Sequence, residues 1–147
     1  MDKIHVSLNI VVANTFVMAF KAQSFHWNAE GKRFHMLHNF FGEIYEELFE
    51  AVDVLAENVR MLGQYAPYSI ADLLKHSTIE EEKELINDCN DQIEYLIEAN
   101  KEVLSSLSTC LLLANKSDEQ GLVDLLGSRI AIHKKFGWML DATNKED

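Results

Sequence analysis

Apolar side chains recur at three- and four-residue intervals through four long stretches, with none of the alternation that marks a strand. The first stretch predicts a helix from about Lys3 to Asn28, with Leu8, Val11, Val12, Thr15, Phe16, Ala19 and Ala22 along one face. Gly31 ends it, since glycine tolerates the positive φ that closes a helix. The second runs from about Phe34 to Leu62 and stops at Gly63, with Leu37, Phe41, Ile44, Leu48, Ala51, Leu55 and Val59 on its face. Residues 64–79 form a longer connection with room for one short helix, opened by Ser69-Ile70-Ala71-Asp72, which resembles a capping box. The third long pattern opens at STIEEEKE, where Thr78 is placed to cap and Glu81 to reach back. It continues through Leu85, Cys89, Ile93, Leu96, Asn100, Val103 and Leu107 to about Ala114. A further box, Ser117-Asp118-Glu119-Gln120, starts a last helix that reaches about Ala142.

Short first and last connections make helices one and two, and three and four, antiparallel neighbours. The longer middle connection has to cross the bundle. Four helices with one long crossover, here carrying a short extra helix, is the ferritin-like all-α arrangement. The chain of 147 residues is long enough for one domain, 1–147, with a filled core. Its single proline, Pro67, and six glycines suit long uninterrupted helices.

Composition then removes several functions. The formal charge of −11, with basic residues scattered and no basic arm at either end, argues against direct binding of a polyanion such as DNA. No apolar run approaches the roughly 20 residues that span a bilayer, and MDKIHVSLNI lacks the layout of a secretion signal. The expectation is a cytoplasmic chain without a membrane partner. Cys89 and Cys110 sit in helical, apolar surroundings and read as free thiols rather than a disulfide.

The chemistry concentrates in QSFHWNAEGKRFHMLHNFF, residues 23–41, which holds three of the six histidines. A metal centre inside a four-helix bundle ordinarily uses Glu-x-x-His on two helices, and no Glu-x-x-His or His-Glu-x-x-His is present. The remaining candidates are His26, His35, His38, Asp53 and Glu57. His26 and His38 lie on either side of the Gly31 turn at similar height, so antiparallel packing can bring them together. Asp53 and Glu57 share one helix face at i,i+4 and can grip a cation between two oxygens. His38 and Asp53, however, are fifteen residues apart on one helix, roughly 22 Å at helical rise. One chain cannot bring both pairs to one ion; two chains about a two-fold axis can, twice over. Two imidazoles and two carboxylates suit a ferrous or zinc-like ion.

These residues resemble those of the Dps proteins, the mini-ferritins that bacteria use against iron and peroxide. The likeness is carried by FHWNAEGKRFHMLHNFFGEIYEELFEAVDVLAENVRMLG, residues 25–63, and continues through YSIADLLKHSTI and IHKKFGWMLDA. The resemblance implies a shell of twelve copies with ferroxidase sites at its two-fold interfaces. His26 and His38 of one copy would face Asp53 and Glu57 of the next. By the same resemblance iron would be the metal, hydrogen peroxide the preferred oxidant, and a ferric oxide mineral inside the shell the product. Trp27 would stand beside the site as an electron donor. Many relatives carry an Asp where this chain has Gly42, which implies one tight and one weak iron position. Asp124 corresponds to an acidic position lining the pore through which iron enters, with Asp118 and Glu119 widening its mouth.

Other residues take plainer readings. His35 falls outside the family pattern, His5, His76 and His133 have no evident partner, and Glu46, Glu47 and Glu50 read as a solvated face. Two alternatives to iron oxidation and storage stay open. One is a DNA-compacting member of the same fold acting through magnesium bridges. The other is a shell that has lost oxidation chemistry, for which Gly42 is the hint.

Overall fold

A computed structural model describes residues 2–145, and among them every regular element is helical. The elements are α1 (Asp2–Asn28), α2 (Phe34–Met61), α3 (Ile70–His76), α4 (Cys89–Lys116) and α5 (Gln120–Thr143). They form a ferritin-like four-helix bundle with α3 in the long crossover. Helix α1 packs against α2, α4 and α3, while α4 packs against α5. The predicted faces are the buried ones: Leu8, Val11, Ala19, Leu37, Phe41, Ile44, Leu48, Leu55, Ile93, Leu96, Val103 and Leu107 are all enclosed.

Helix α1 contains a window long and apolar enough to cross a membrane, contrary to the expectation that no stretch approaches that limit. Two thirds of that window (67%) is buried inside the bundle, which is what a core helix requires.

The turn after α2 forms as predicted. Gly63 adopts φ 83°, its N–H donates to the Arg60 carbonyl, and the Gln64 N–H donates to that of Val59. This paired closure satisfies the last carbonyls of the helix. Ser69 caps α3 by accepting from the Asp72 N–H at 3.0 Å, but Asp72 accepts from Tyr68 N–H rather than from that of Ser69.

Two expected helix starts are displaced. Helix α4 begins at Cys89, not near Thr78, and its cap is Asp88, whose carboxylate accepts from the Asp91 N–H at 3.1 Å. Residues 77–88 instead run without helix along α1 because buried side chains of α1 hold them. Asn14 accepts from the Thr78 N–H at 2.8 Å and donates to the Thr78 hydroxyl at 2.9 Å. The buried Lys21 ammonium donates to the Glu80 carbonyl at 2.7 Å and pairs with the Glu82 carboxylate. A buried Asn and a buried Lys need these partners, and extended backbone offers them where helical backbone would not. Leu85, expected on the buried face, is accordingly 69% exposed.

The box at Ser117–Gln120 also does not cap. Asp118 takes φ 56°, and the N–H groups of Asp118 and Glu119 donate to the Asn115 and Ala114 carbonyls. These residues close α4 instead, and α5 starts at Gln120 with no side-chain cap.

Candidate metal centre

The Gly31 turn folds the end of α1 back against the start of α2, and it brings His26 and His38 into contact. Their rings stack with centroids 3.8 Å apart and planes inclined by 14°. Each ring is fixed by the other residue's main chain. His26 Nδ1 lies 2.6 Å from the His38 carbonyl oxygen, and His38 Nδ1 lies 2.7 Å from the His26 carbonyl oxygen. A carbonyl only accepts, so both Nδ1 atoms carry the proton and donate. Each Nε2 then keeps its lone pair, the state in which imidazole ligates a metal.

Gly42 lies beneath this pair. A Cβ at this position would stand 3.1 Å from His26 Nδ1 and 3.2 Å from its Cε1. The absent side chain leaves the space the imidazole occupies. Tyr45, one turn further along α2, meets His26 edge-on at 5.2 Å, and Phe34 stacks on His38 at 5.1 Å. His35 is exposed and takes no part in the stack.

Asp53 and Glu57 are both exposed near the other end of α2. The helix is continuous between His38 and Asp53, so the two lie roughly 22 Å apart by helical rise. Among the described residues neither carboxylate pairs with a cation, and no three His, Cys, Asp or Glu side chains converge on a metal position. Within one chain the two imidazoles and the two carboxylates therefore lie in separate places on α1–α2.

Trp27 is 58% exposed, and its ring meets Phe20, not an imidazole, with centroids 6.2 Å apart. Asp118 and Asp124 are exposed and Glu119 half-buried, on the α4–α5 turn and the first turns of α5. Among the described residues their side chains make no hydrogen bond or ion pair.

One polar assembly was not anticipated. Glu47 does not belong to a solvated face: its carboxylate takes both Nη groups of Arg129, with Nη2 donating to Oε1 at 2.8 Å. Arg129 is 5% exposed. Its Nη2 also lies 3.2 Å from His133 Nε2, and His133 Nδ1 lies 2.8 Å from Asn100 Oδ1. An acceptor on one side and a donor on the other fix the tautomer: Nδ1–H donates to Asn100 Oδ1 and Nε2 accepts from Arg129. Burial first, and then the Arg129 charge, push the His133 pKa down from 6.5 to about 3. This network joins α2, α4 and α5 around one positive and one negative charge, which cancel, so it is a structural ion pair and offers no surplus of anionic ligands. The spacing Arg129-x-x-x-His133 was visible, but nothing in sequence tied it to Glu47.

Both cysteines are free. Burial pushes the Cys110 thiol up to about 11, which keeps it protonated and unreactive.

A family model described as Ferritin-like domain matches residues 6–146. The chain is 30% identical over 137 residues to the DNA protection during starvation protein of Brevibacillus brevis, spanning 93% of this chain and 91% of that one. It is similar to a solved Dps protein from Vibrio cholerae O1, described as a member of a broad superfamily of ferritin-like diiron-carboxylate proteins. There the TM-score is 0.93 and the identity 30%, over 98% of this chain and 90% of that chain. Antigen TpF1 from Treponema pallidum matches with a TM-score of 0.94 and 28% identity, over 99% and 93% of the two chains.

Proposed function

Since the chain belongs to the Dps group of the ferritin-like family, we propose that it oxidises ferrous iron at sites shared between two copies and stores the ferric product inside a closed shell. The observation that carries this reading is the division of ligands within one chain. His26 and His38 present two bare Nε2 atoms at one end of α2, and Asp53 and Glu57 present unpaired carboxylates near the other. An isologous dimer sets each pair against its complement. Two nitrogen and two oxygen donors form a set that ferrous iron accepts. Exposed apolar side chains beside the imidazoles, Phe20, Trp27, Phe34 and Met36, favour burial against a second copy.

Iron is the substrate. Two ferrous ions give one electron each to hydrogen peroxide, the preferred oxidant, whose O–O bond breaks to two hydroxide ions; oxygen serves more slowly. The ferric ions then mineralise inside a dodecamer built from two-fold dimers, which removes iron and peroxide together and limits oxidative damage. Because Gly42 offers no carboxylate, one ion is held tightly and the second weakly. Trp27 stands beside the site as an electron donor, and Asp124, with Asp118 and Glu119, lines the entry pore. An acidic pore concentrates cations. The protein works in the cytoplasm. A charge of −11 disfavours direct DNA binding, leaving magnesium-bridged compaction as the second reading, which a gel shift with and without magnesium tests.

The experiment is anaerobic ferrous titration followed by peroxide, beside His26→Ala and Asp53→Ala, with light scattering to weigh the particle. The expected results are fast oxidation lost in both variants, and a mass near 200 kDa, twelve copies of the 16.8 kDa chain. Equal oxidation in all three proteins, or a monomer, contradicts the reading.

A further inference from the structure

Oxidation changes what a bound iron ion asks of its ligands. A ferric ion is harder than a ferrous one and prefers anionic oxygen to imidazole nitrogen. On the stripe of α2 that carries His38, the next turn holds Gly42, which has no side chain, and the turn after it holds Tyr45. Glu43 and Glu46 lie further round the helix and are exposed. The oxygen that this chain can set beside its own imidazoles therefore comes from a phenol.

Tyr45 is placed for that role. Side chains on a helix lean towards its N-terminus, so Tyr45 reaches back over Gly42. A Cβ built on Gly42 would lie 3.9 Å from Tyr45 Cε2 and 3.1 Å from His26 Nδ1. Cε2 is bonded to the carbon that bears the hydroxyl, so the hydroxyl half of the ring borders the space that Gly42 leaves. The ring meets His26 at 5.2 Å with planes inclined by 65°. That separation leaves room for one ion to hold an imidazole nitrogen and the phenol oxygen together, at bond lengths of about 2 Å. Phe49 packs against Tyr45 at 6.1 Å and 74°, which steadies the ring. Phe34, the other aromatic residue on the pair, stacks on His38 and carries no oxygen. Tyr45 is half-buried. The imidazoles bond to each other's main chain, and among the described residues no hydrogen bond engages the Tyr45 hydroxyl.

We propose that Tyr45 is an iron ligand whose oxygen binds the ferric ion formed at His26 and His38, an inference that rests on the function proposed above. A water on the ferric ion gives way to the phenol oxygen, the phenol O–H bond breaks, and the proton passes to solvent. No electron leaves the ring. Phenolate oxygen is a ligand that iron takes in other proteins, and binding to the cation is what removes the proton. A neutral phenol does little for a ferrous ion. The position beside Gly42 is thus weak before oxidation and firm after it, so Tyr45 makes the site selective for its oxidised ion.

The test uses the intact oligomer, loaded anaerobically with two ferrous ions per site and oxidised with one peroxide per pair of ions. The parent, Tyr45→Phe and Tyr65→Phe are compared. Visible absorption and resonance Raman spectra are recorded from mixing onward, and ferrous affinity is titrated before oxidation. Tyr45→Phe keeps the ring and its packing, so its unfolding midpoint should match the parent's. Tyr65, 78% exposed between α2 and α3, controls for a surface phenol that picks up stray ferric ion. The expected result is a ferric–phenolate charge-transfer band, with enhanced phenolate ring modes, in the parent and in Tyr65→Phe but not in Tyr45→Phe. The first ferrous ion binds equally well to all three. Ferric ion formed in the parent without the band, a band that persists in Tyr45→Phe, or one that is lost with Tyr65 overturns the proposal. A parent that forms no ferric ion contradicts the ferroxidase reading, and the proposal with it.

Discussion

His26 and His38 hold each other through their main chains: Nδ1 of each lies within 2.7 Å of the other's carbonyl oxygen. This reciprocal bond does two things at once. It locks the α1–α2 turn, and it sets the tautomer that leaves both Nε2 atoms bare. Replacing either ring by alanine removes a proposed iron ligand and also frees the carbonyl that its partner's Nδ1 donated to from a settled geometry. We expect His26→Ala and His38→Ala each to weaken ferrous binding by at least tenfold, as read by anaerobic titration. Loss in one variant with full affinity in the other would mean the rings do not act as a pair.

Gly42 gives a prediction in which stability and binding part company. Alanine in a helix interior is favoured over glycine by about 1 kcal/mol. The added methyl, however, would meet the His26 ring at 3.1 to 3.2 Å, and that ring has to shift. Gly42→Ala should therefore unfold within about 1 kcal/mol of the parent while binding ferrous iron several-fold more weakly. Thermal melts and titration on the same preparation check both halves.

The Arg129–Glu47 pair should matter to the fold and not to the chemistry. Glu47→Gln leaves a guanidinium that is 5% exposed without its counter-charge. Breaking a buried pair on one side costs roughly 3–5 kcal/mol; Glu47 is one-third exposed, so the lower end applies. The joint replacement Arg129→Met with Glu47→Met should recover much of that loss, because no uncompensated charge remains. The check is unfolding midpoints for the single and double variants, with iron oxidation per folded site unchanged in each.

His133 sets an acid sensitivity. Its pKa is 6.5 in the unfolded chain and about 3 in the fold, so below 6.5 the unfolded state binds one proton that the folded state refuses. Stability from this residue is present in full above about pH 6.5 and is lost as pH falls towards 3, by up to about 1.4 kcal/mol per unit. Between pH 6 and pH 4 the unfolding midpoint of the parent should fall more steeply than that of His133→Gln. Parallel slopes would mean that other groups carry the acid response.

Much of the bundle was legible because its signals are local. The α2 face, the Gly63 closure and the Ser69 cap each depend on residues within a turn or two of one another. The misplaced start of α4 had a different cause. STIEEEKE has a capping pattern, yet Asn14 and Lys21, more than fifty positions earlier, draw its backbone into an extended path. Glu47 was misread for the same reason, since its partner Arg129 is 82 positions away. The histidine pair could be placed because one tight turn joins the two helices that carry it. Tyr45 escaped notice because an edge-on aromatic contact leaves no mark in residue spacing.

The central claim, that each site is completed by a second copy, is tested most directly by mixing two inactive proteins. His26→Ala and Asp53→Ala are unfolded together, refolded as a mixture, and assayed for ferrous oxidation by peroxide beside each variant alone. In a mixed dimer one site collects both substitutions and the other collects neither. Random pairing makes half the dimers mixed, so about a quarter of the parent's sites should return. If the mixture is as inactive as the separate variants although mixed particles have formed, the ligands do not come from two chains and the account fails.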